Sequence, residues 1–232
     1  MAFIELKNYH MPPDSAANVL APFDFSLDQG DVCAVQADIS DLGHQFLNAL
    51  SMISAPMSGE YCSGGRCLQR QRYPEWLQHR RRVAYIGPVS ALISNMSIRE
   101  NLLLSRFYYE NDLRLELSEE VTQLCHAAGL GSKLSLRPAD LNALERRIAI
   151  AIRELTRDVS LVVLDNTEDL IGHPTFRLLM AHLRRLHRKG APLVMMSESE
   201  NPIRQMINRC VAIVGGHLRE RACSPNGRIT VS

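Results

Sequence analysis

Apolar and polar positions change period repeatedly along this chain, and each change marks an element. FIELKNY alternates well enough for an opening strand, HMPPDSAANVLAP is a turn-rich loop and FDFSL a short strand. VCAVQ is an apolar run expected as a buried strand. Leu42, Phe46, Leu50 and Ile53 then recur at helical spacing, predicting a helix over 42–53. GEYCSGG and RCL suggest a small hairpin arm, 73–82 a short basic helix, and RVAYIG a strand. Ser97 followed by Glu100 forms a capping box that opens a helix over 97–107. A second helix spans 118–128 with Glu119 and Glu120 in its first turn, and a third covers 141–156. LVVLD is an apolar strand ending in an acid, 175–189 is amphipathic, and PLVMMS is a strand. A helical turn at 203–208 precedes a terminal hairpin of VAIV and LRERA. Alternating strands and helices argue for an α/β fold with a largely parallel sheet, N-terminal antiparallel strands and an inserted helical subdomain. That divides the single domain, 1–232, into a core with a β arm, 1–96 and 157–232, and a helical subdomain, 97–156.

Composition narrows the function classes. A hydrophobic fraction of 46% with 22% charged residues is that of a soluble globular protein, and a net charge of +1 gives no general attraction to nucleic acid. No apolar run approaches the ~18 residues of a membrane span, and MAFIELKNYH lacks the basic start and apolar stretch of a signal peptide. Cys33, Cys62, Cys67, Cys125, Cys210 and Cys223 show no zinc spacing and are expected as reduced structural thiols. A cytosolic protein follows, any membrane role coming through a partner.

The stretch 27–60 reads as strand, turn, helix, turn, with Gly30-Asp31 before the strand and Pro56-Met57-Ser58-Gly59-Glu60 after the helix. That frame resembles the start of an ABC-transporter ATPase domain. Such a domain carries G-x-x-x-x-G-K-[ST] between strand and helix, where backbone N–H groups curl around phosphates, a lysine reaches them and a hydroxyl binds Mg²⁺. This slot holds Ala37, Asp38, Ile39, Ser40, Asp41, Leu42, Gly43, His44 and Gln45 with no insertion or deletion. Ala37, Ser40 and Leu42 stand in glycine slots, Gly43 in the lysine slot, and His44 and Gln45 in the hydroxyl slots. A left-handed Leu42 would cost roughly 1–2 kcal/mol. Asp38 and Asp41 sit where a polyanion would lie, and Ser40, Asp41 or Asp38 is expected to cap the helix in its place. An ordinary strand–turn–helix with no phosphate-binding past is the plainer alternative for this segment.

The resemblance extends along nearly the whole chain. VAYIGPVSALISNMSIREN resembles the Q-loop region, AAGLGSKLSLRPADLNALERRIAIAIREL the signature region, LVVLDN the Walker B strand and VMMSESEN the switch-histidine region. SALISNMS and GLGSKLSLRPADL look most like the branch that powers Mla/Mce-type lipid transport. At each landmark the chemical residue differs. Pro88 replaces the Q-loop glutamine, and Asn142, Ala143, Leu144 and Glu145 stand in the signature. Asp165 matches Walker B, Asn166 replaces the catalytic glutamate, and Glu198 replaces the switch histidine. An amide cannot act as a carboxylate base. Asp38, Asp41, Asp165 and Glu198 would repel phosphates, each pair at about 4 Å by about 4 kcal/mol at an effective dielectric of ~20.

The resemblance therefore implies an ABC-type P-loop ATPase fold without enzymatic activity: a pseudo-ATPase with no cofactor and no metal. It would serve a membrane ABC transporter, for envelope lipids by the sub-family likeness, in a structural or regulatory role. A permease at the inner membrane would dock against Pro88, Val89, Ser90, Ala91, Leu92 and Asn95. An active ATPase subunit or a second copy would be the other partner, and the chain would sit peripherally on the cytoplasmic face. Two alternatives stand: a divergent ATPase that still hydrolyses ATP, and a soluble adaptor that meets no permease. A lone divalent cation among Asp38, Asp41, Asp165 and Glu198 is a lesser option. Arg70, Arg72, Arg80, Arg81 and Arg82, near Tyr73 and Trp76, read first as a solvated face and second as contact with anionic lipid or an acidic partner.

Overall fold

The computed structural model describes residues 3–12, 19–68, 73–112, 114–197 and 202–223. Two sheets organise them. The first is antiparallel, in the order β2-β1-β4-β5, from β1 (Ile4–His10), β2 (Phe23–Leu27), β4 (Ser58–Ser63) and β5 (Arg66–Leu68). The second has the order β10-β9-β3-β8-β7-β6, from β3 (Val32–Ala37), β6 (Val83–Ile86), β7 (Leu161–Asp165), β8 (Leu193–Met196), β9 (Arg209–Val214) and β10 (His217–Arg221). Every pairing in it is parallel except β9 with β10.

The second sheet is apolar on both faces, which explains why its strands read as unbroken hydrophobic runs. Along β7, Leu161 and Val163 join one cluster with Phe46, Leu50 and the first sheet, while Val162 and Leu164 join another with Ile148, Ile152, Phe176 and Leu183. Helix α1 (Ser40–Leu50) covers the first face; α3 (Ile98–Glu110), α4 (Glu119–Ala127), α5 (Ala143–Leu155) and α7 (His173–Arg188) contribute to the second cluster. The short helices α2 (Tyr73–Arg80) and α6 (Thr167–Ile171) complete the set.

Each predicted strand forms. The capping boxes Ser97–Glu100 and Asn142–Glu145 open α3 and α5, and Ser118 caps α4. Three expectations are corrected. Helix α1 starts at Ser40 and ends at Leu50, so Ile53 lies beyond it, 39% exposed, after a left-handed Met52. Leu42 is right-handed and buried, so the glycine slot carries no strain there. Four of the six cysteines pair, Cys62 with Cys67 across the β4–β5 hairpin and Cys210 with Cys223, leaving Cys33 and Cys125 free and buried. Partners close in the fold, invisible as a spacing pattern, account for that difference. Among the described residues no helix is long and apolar enough to cross a membrane.

Candidate functional site

In an open parallel sheet, ligands bind beyond the carboxyl ends of the strands. Here those ends gather α1's N-terminus after β3, Gly87 after β6, Asp165 at the end of β7, Met196 at the end of β8 and Ser197 just beyond it. Asp165 is fully buried. Its Oδ2 accepts from the Tyr85 hydroxyl at 2.7 Å and lies 2.8 Å from His44 Nδ1, while its Oδ1 has no partner. Burial, then the Asp165 charge and the hydrogen bond to it, push the Tyr85 hydroxyl far above the ordinary phenol range. The other imidazole nitrogen of His44 lies 3.2 Å from Ser40 Oγ. Ser40, His44 and Asp165 thus form a continuous path along which a proton can move.

Two glycines make room for this packing. A Cβ on Gly87 would collide with the Tyr85 hydroxyl and come within 2.7 Å of Asp165 Cβ. A Cβ on Gly43 would collide with Met196 Sδ and lie 3.3 Å from Ala37 Cβ, so any larger side chain in that slot requires Met196 to move.

Helix α1 is not capped by its own acids, contrary to expectation. Ile39 occupies the cap position in an extended conformation, and among the described residues no side chain caps the helix. Asp38 instead accepts from Gly215 N–H at 2.7 Å, tying the loop to the β9–β10 turn, and Asp41 is exposed. Gln45 is turned away from the strand ends: it is buried and its Oε1 accepts from Leu20 N–H at 3.1 Å. Of the four acids expected to group around one cation, Asp38, Asp41, Asp165 and Glu198, three are described. Asp38 is bonded to Gly215, Asp165 to His44 and Tyr85, and Glu198 lies outside the described residues. The metal-capable group found among the described residues is Glu60 with Cys62 and Cys67, whose two thiols are joined.

Asn166 follows Asp165 in a left-handed conformation, and its N–H donates to Met196 O at 2.9 Å. Two residues on, Glu168 is a buried carboxylate that accepts from Ser197 Oγ. Neither Tyr85 nor Glu168 stood out in the sequence. Tyr85 sits inside the apolar strand run VAYI, and Glu168 lies in a five-residue helix too short to show a helical period.

The remaining predicted positions lie elsewhere. Asn142 caps α5 by accepting from Glu145 N–H at 2.9 Å, and Glu145 pairs with Lys133. Ala143 and Leu144 are exposed on that helix start. Pro88, Val89, Ala91 and Asn95 are exposed and Ser90 and Leu92 half-buried. The Ser90 hydroxyl donates to Tyr85 O at 3.1 Å, which anchors the turn next to the Asp165 site.

No family model matches this chain. It is 25% identical to the methionine import ATP-binding protein MetN 1 of Salmonella paratyphi A over 177 residues, 75% of this chain and 51% of that protein. It is 24% identical to the lipoprotein-releasing system ATP-binding protein LolD of Pseudomonas syringae pv. tomato over 216 residues, covering 92% of this chain and 94% of that one. The chain spans about half the length of the first of these relatives. Among solved structures, a dimeric ATP-binding cassette bound to ADP and Pi in a post-hydrolysis state superposes with a TM-score of 0.76 at 19% identity, covering 94% of this chain and 97% of that one. An ATP-binding subunit of an ABC transporter superposes with a TM-score of 0.74 at 20% identity, covering 93% and 88%.

These comparisons overturn the expectation that the chain is no enzyme. The curated relatives are named for ATP binding, which points to an ATPase. The physical assumption behind that expectation also fails in part, because Asp38 and Asp165 are engaged by other groups and α1 is left without a side-chain cap. The chain has the α/β fold of the ABC-transporter ATP-binding cassettes.

Proposed function

We propose that this chain is the ATP-binding subunit of a membrane transporter and that it handles the nucleotide with a polar set of its own. The observation that carries this reading is the pairing, at the strand ends, of an α1 N-terminus without a side-chain cap and a buried Asp165 with one open oxygen. A helix N-terminus attracts phosphate through its N–H groups and dipole. Ser40 and His44 stand at that terminus; the Ser40 hydroxyl can donate to a phosphate oxygen, and His44 can do so through Nε2 in its imidazolium form, in place of the absent lysine. The open Oδ1 of Asp165 suits Mg²⁺, which is commonly held by one or two carboxylates together with substrate phosphates. When bound, the ion would neutralise phosphate charge. Glu168 is the carboxylate assigned to orient or deprotonate the attacking water, the role Asn166 cannot fill.

The remaining roles extend this reading. The exposed segment bearing Pro88, Val89, Ser90, Ala91, Leu92 and Asn95 would meet a permease, which would hold the chain at the cytoplasmic face of the membrane. The start of α5, Asn142–Glu145, would face the nucleotide of a second cassette, either another copy or a different subunit. Envelope lipids or lipid-linked proteins are the cargo class, supported by SALISNMS and GLGSKLSLRPADL and by the likeness to LolD.

Titration calorimetry with MgATP tests the reading. Saturable binding is expected, with Glu168→Gln leaving binding in place and slowing hydrolysis by about 10²–10⁴. Absence of heat and of thermal shift up to millimolar ATP would sink it.

A further inference from the structure

The antiparallel sheet carries a second set of chemically active side chains, outside the Asp165 site. Strands β4 and β5 are joined by Gly64-Gly65, with φ of 56° and 78°. A type I′ hairpin turn requires positive φ at both of its central residues. The turn fixes the register: Ser63 faces Arg66, Cys62 faces Cys67 and Tyr61 faces Leu68. Side chains alternate along a strand, so Glu60 and Cys62 share one face of β4 while Tyr61 points to the other. The Tyr61 face is the core. Tyr61 and Leu68 are buried, the Tyr61 hydroxyl donates to Leu50 O at 3.0 Å, and its ring meets Trp76 edge-on at 6.0 Å.

On the opposite face, the Glu60 carboxylate and the Cys62 and Cys67 sulfurs offer ligand atoms that all lie within 4.8 Å of one another. Cys62 is 2% exposed, whereas Cys67 and Glu60 are open to solvent. One ligand is therefore anchored in the fold and the other two are accessible to an ion from solution. The two sulfurs are joined in this structure. Their apposition does not depend on that bond, because the turn, the β1–β4 ladder and the buried Tyr61 and Leu68 hold both strands in register. Reduction leaves two thiols face to face beside a carboxylate. Among the described residues that carboxylate is uncommitted: Lys7, which faces Glu60 across the β1–β4 ladder, pairs with Glu5 at 3.1 Å instead.

We propose that Glu60, Cys62 and Cys67 form a redox-gated Zn²⁺ site, open when the two cysteines are reduced and closed when they are joined. Two thiolates and a carboxylate are a donor set that Zn²⁺ accepts in tetrahedral geometry with water in the fourth position, whereas Mg²⁺ and Ca²⁺ take oxygen ligands. Each thiol releases its proton as its bond to the ion forms. Closure is thiol–disulfide exchange with a low-molecular-weight disulfide. The two thiolates give up two electrons and the Cys62–Cys67 bond forms; the small disulfide takes up those electrons and two protons, leaves as two thiols, and the ion is released. The site is independent of the transporter reading.

The test uses the full chain, reduced with an immobilised phosphine that is then removed. Zn²⁺ is titrated in competition with a chromophoric chelator, and Co²⁺ serves as the spectroscopic probe. One ion per reduced chain is expected, with a sulfur-to-cobalt charge-transfer band; the chain left oxidised should show neither. Cys67→Ser and Glu60→Gln, both on exposed residues, should each weaken binding by roughly 10–100-fold or more, a ligand counting for at least as much as the groups that support it. The band should fade in the serine variant and survive in the glutamine variant. Cys223→Ser, which breaks the other cysteine pair, should change neither affinity nor band. In the unsubstituted reduced chain, Zn²⁺ should shield Cys62 and Cys67 from alkylation, read by peptide mass spectrometry, and this result decides the matter if Cys67→Ser does not fold. No ion bound by the reduced chain, equal binding by the oxidised chain, or shielding of Cys210 and Cys223 instead would overturn the proposal. Full affinity retained in either Cys67→Ser or Glu60→Gln would overturn it too.

Discussion

Asp165 carries two polar contacts on one oxygen and none on the other, and both its partners are far away in sequence. Asp165→Ala would strand the buried Tyr85 hydroxyl, a loss of about 1–3 kcal/mol readable as a lower melting temperature. The tyrosines also set a pH limit. Tyr85 and Tyr61 both have folded pKa values raised, chiefly by burial. A raised phenol contributes full stability below its unfolded pKa of about 10 and loses it as pH rises beyond. Urea midpoints should therefore fall above about pH 10, and Tyr85→Phe should flatten part of that slope. An unchanged slope would show that Tyr85 does not titrate with unfolding. At this scale the sequence made Asp165 and Ser97 legible, because strand ends and helix starts announce themselves locally. Tyr85 and Glu168 were not legible, and Gln45 was misread, because their roles depend on neighbours brought close by folding.

Elements were legible where a period or a cap marks them. All the strands of both sheets, and helices α1, α3, α4, α5 and α7, follow from apolar spacing and, for α3, from the capping box at Ser97; the caps at Ser118 and Asn142 came from the structure. Helix α6 was not, since five residues are too few to show helical periodicity. Two variants test what holds the helical part together. Asn142→Ala removes the α5 capping box and should cost about 1 kcal/mol in denaturant titration. Asn101→Ala breaks four side-chain bonds to the Ile93–Ser97 loop and should cost more, about 2–4 kcal/mol, with faster amide exchange confined to that loop. A cost equal to that of Asn142→Ala, with no change in loop exchange, would contradict that role.

At the scale of the molecule, the two disulfides leave two thiols, Cys33 and Cys125, both buried. Burial pushes Cys33 up to about 12 and Cys125 up to about 11, so neither is reactive at neutral pH. A thiol reagent should find no reactive group in the native protein and two per chain after unfolding without reductant; six would mean the four paired cysteines are reduced. The sequence by itself determined the α/β class, the order of elements and the cassette-like frame, because periodicity and caps are short-range properties. Tertiary structure decided the rest. It directed Asp38 to Gly215 and Gln45 to Leu20, left α1 without a side-chain cap, joined His44 and Tyr85 on Asp165, and gathered four arginines in one groove. These outcomes depend on which groups meet across long sequence separations and on how burial alters their charge, and a local pattern carries neither.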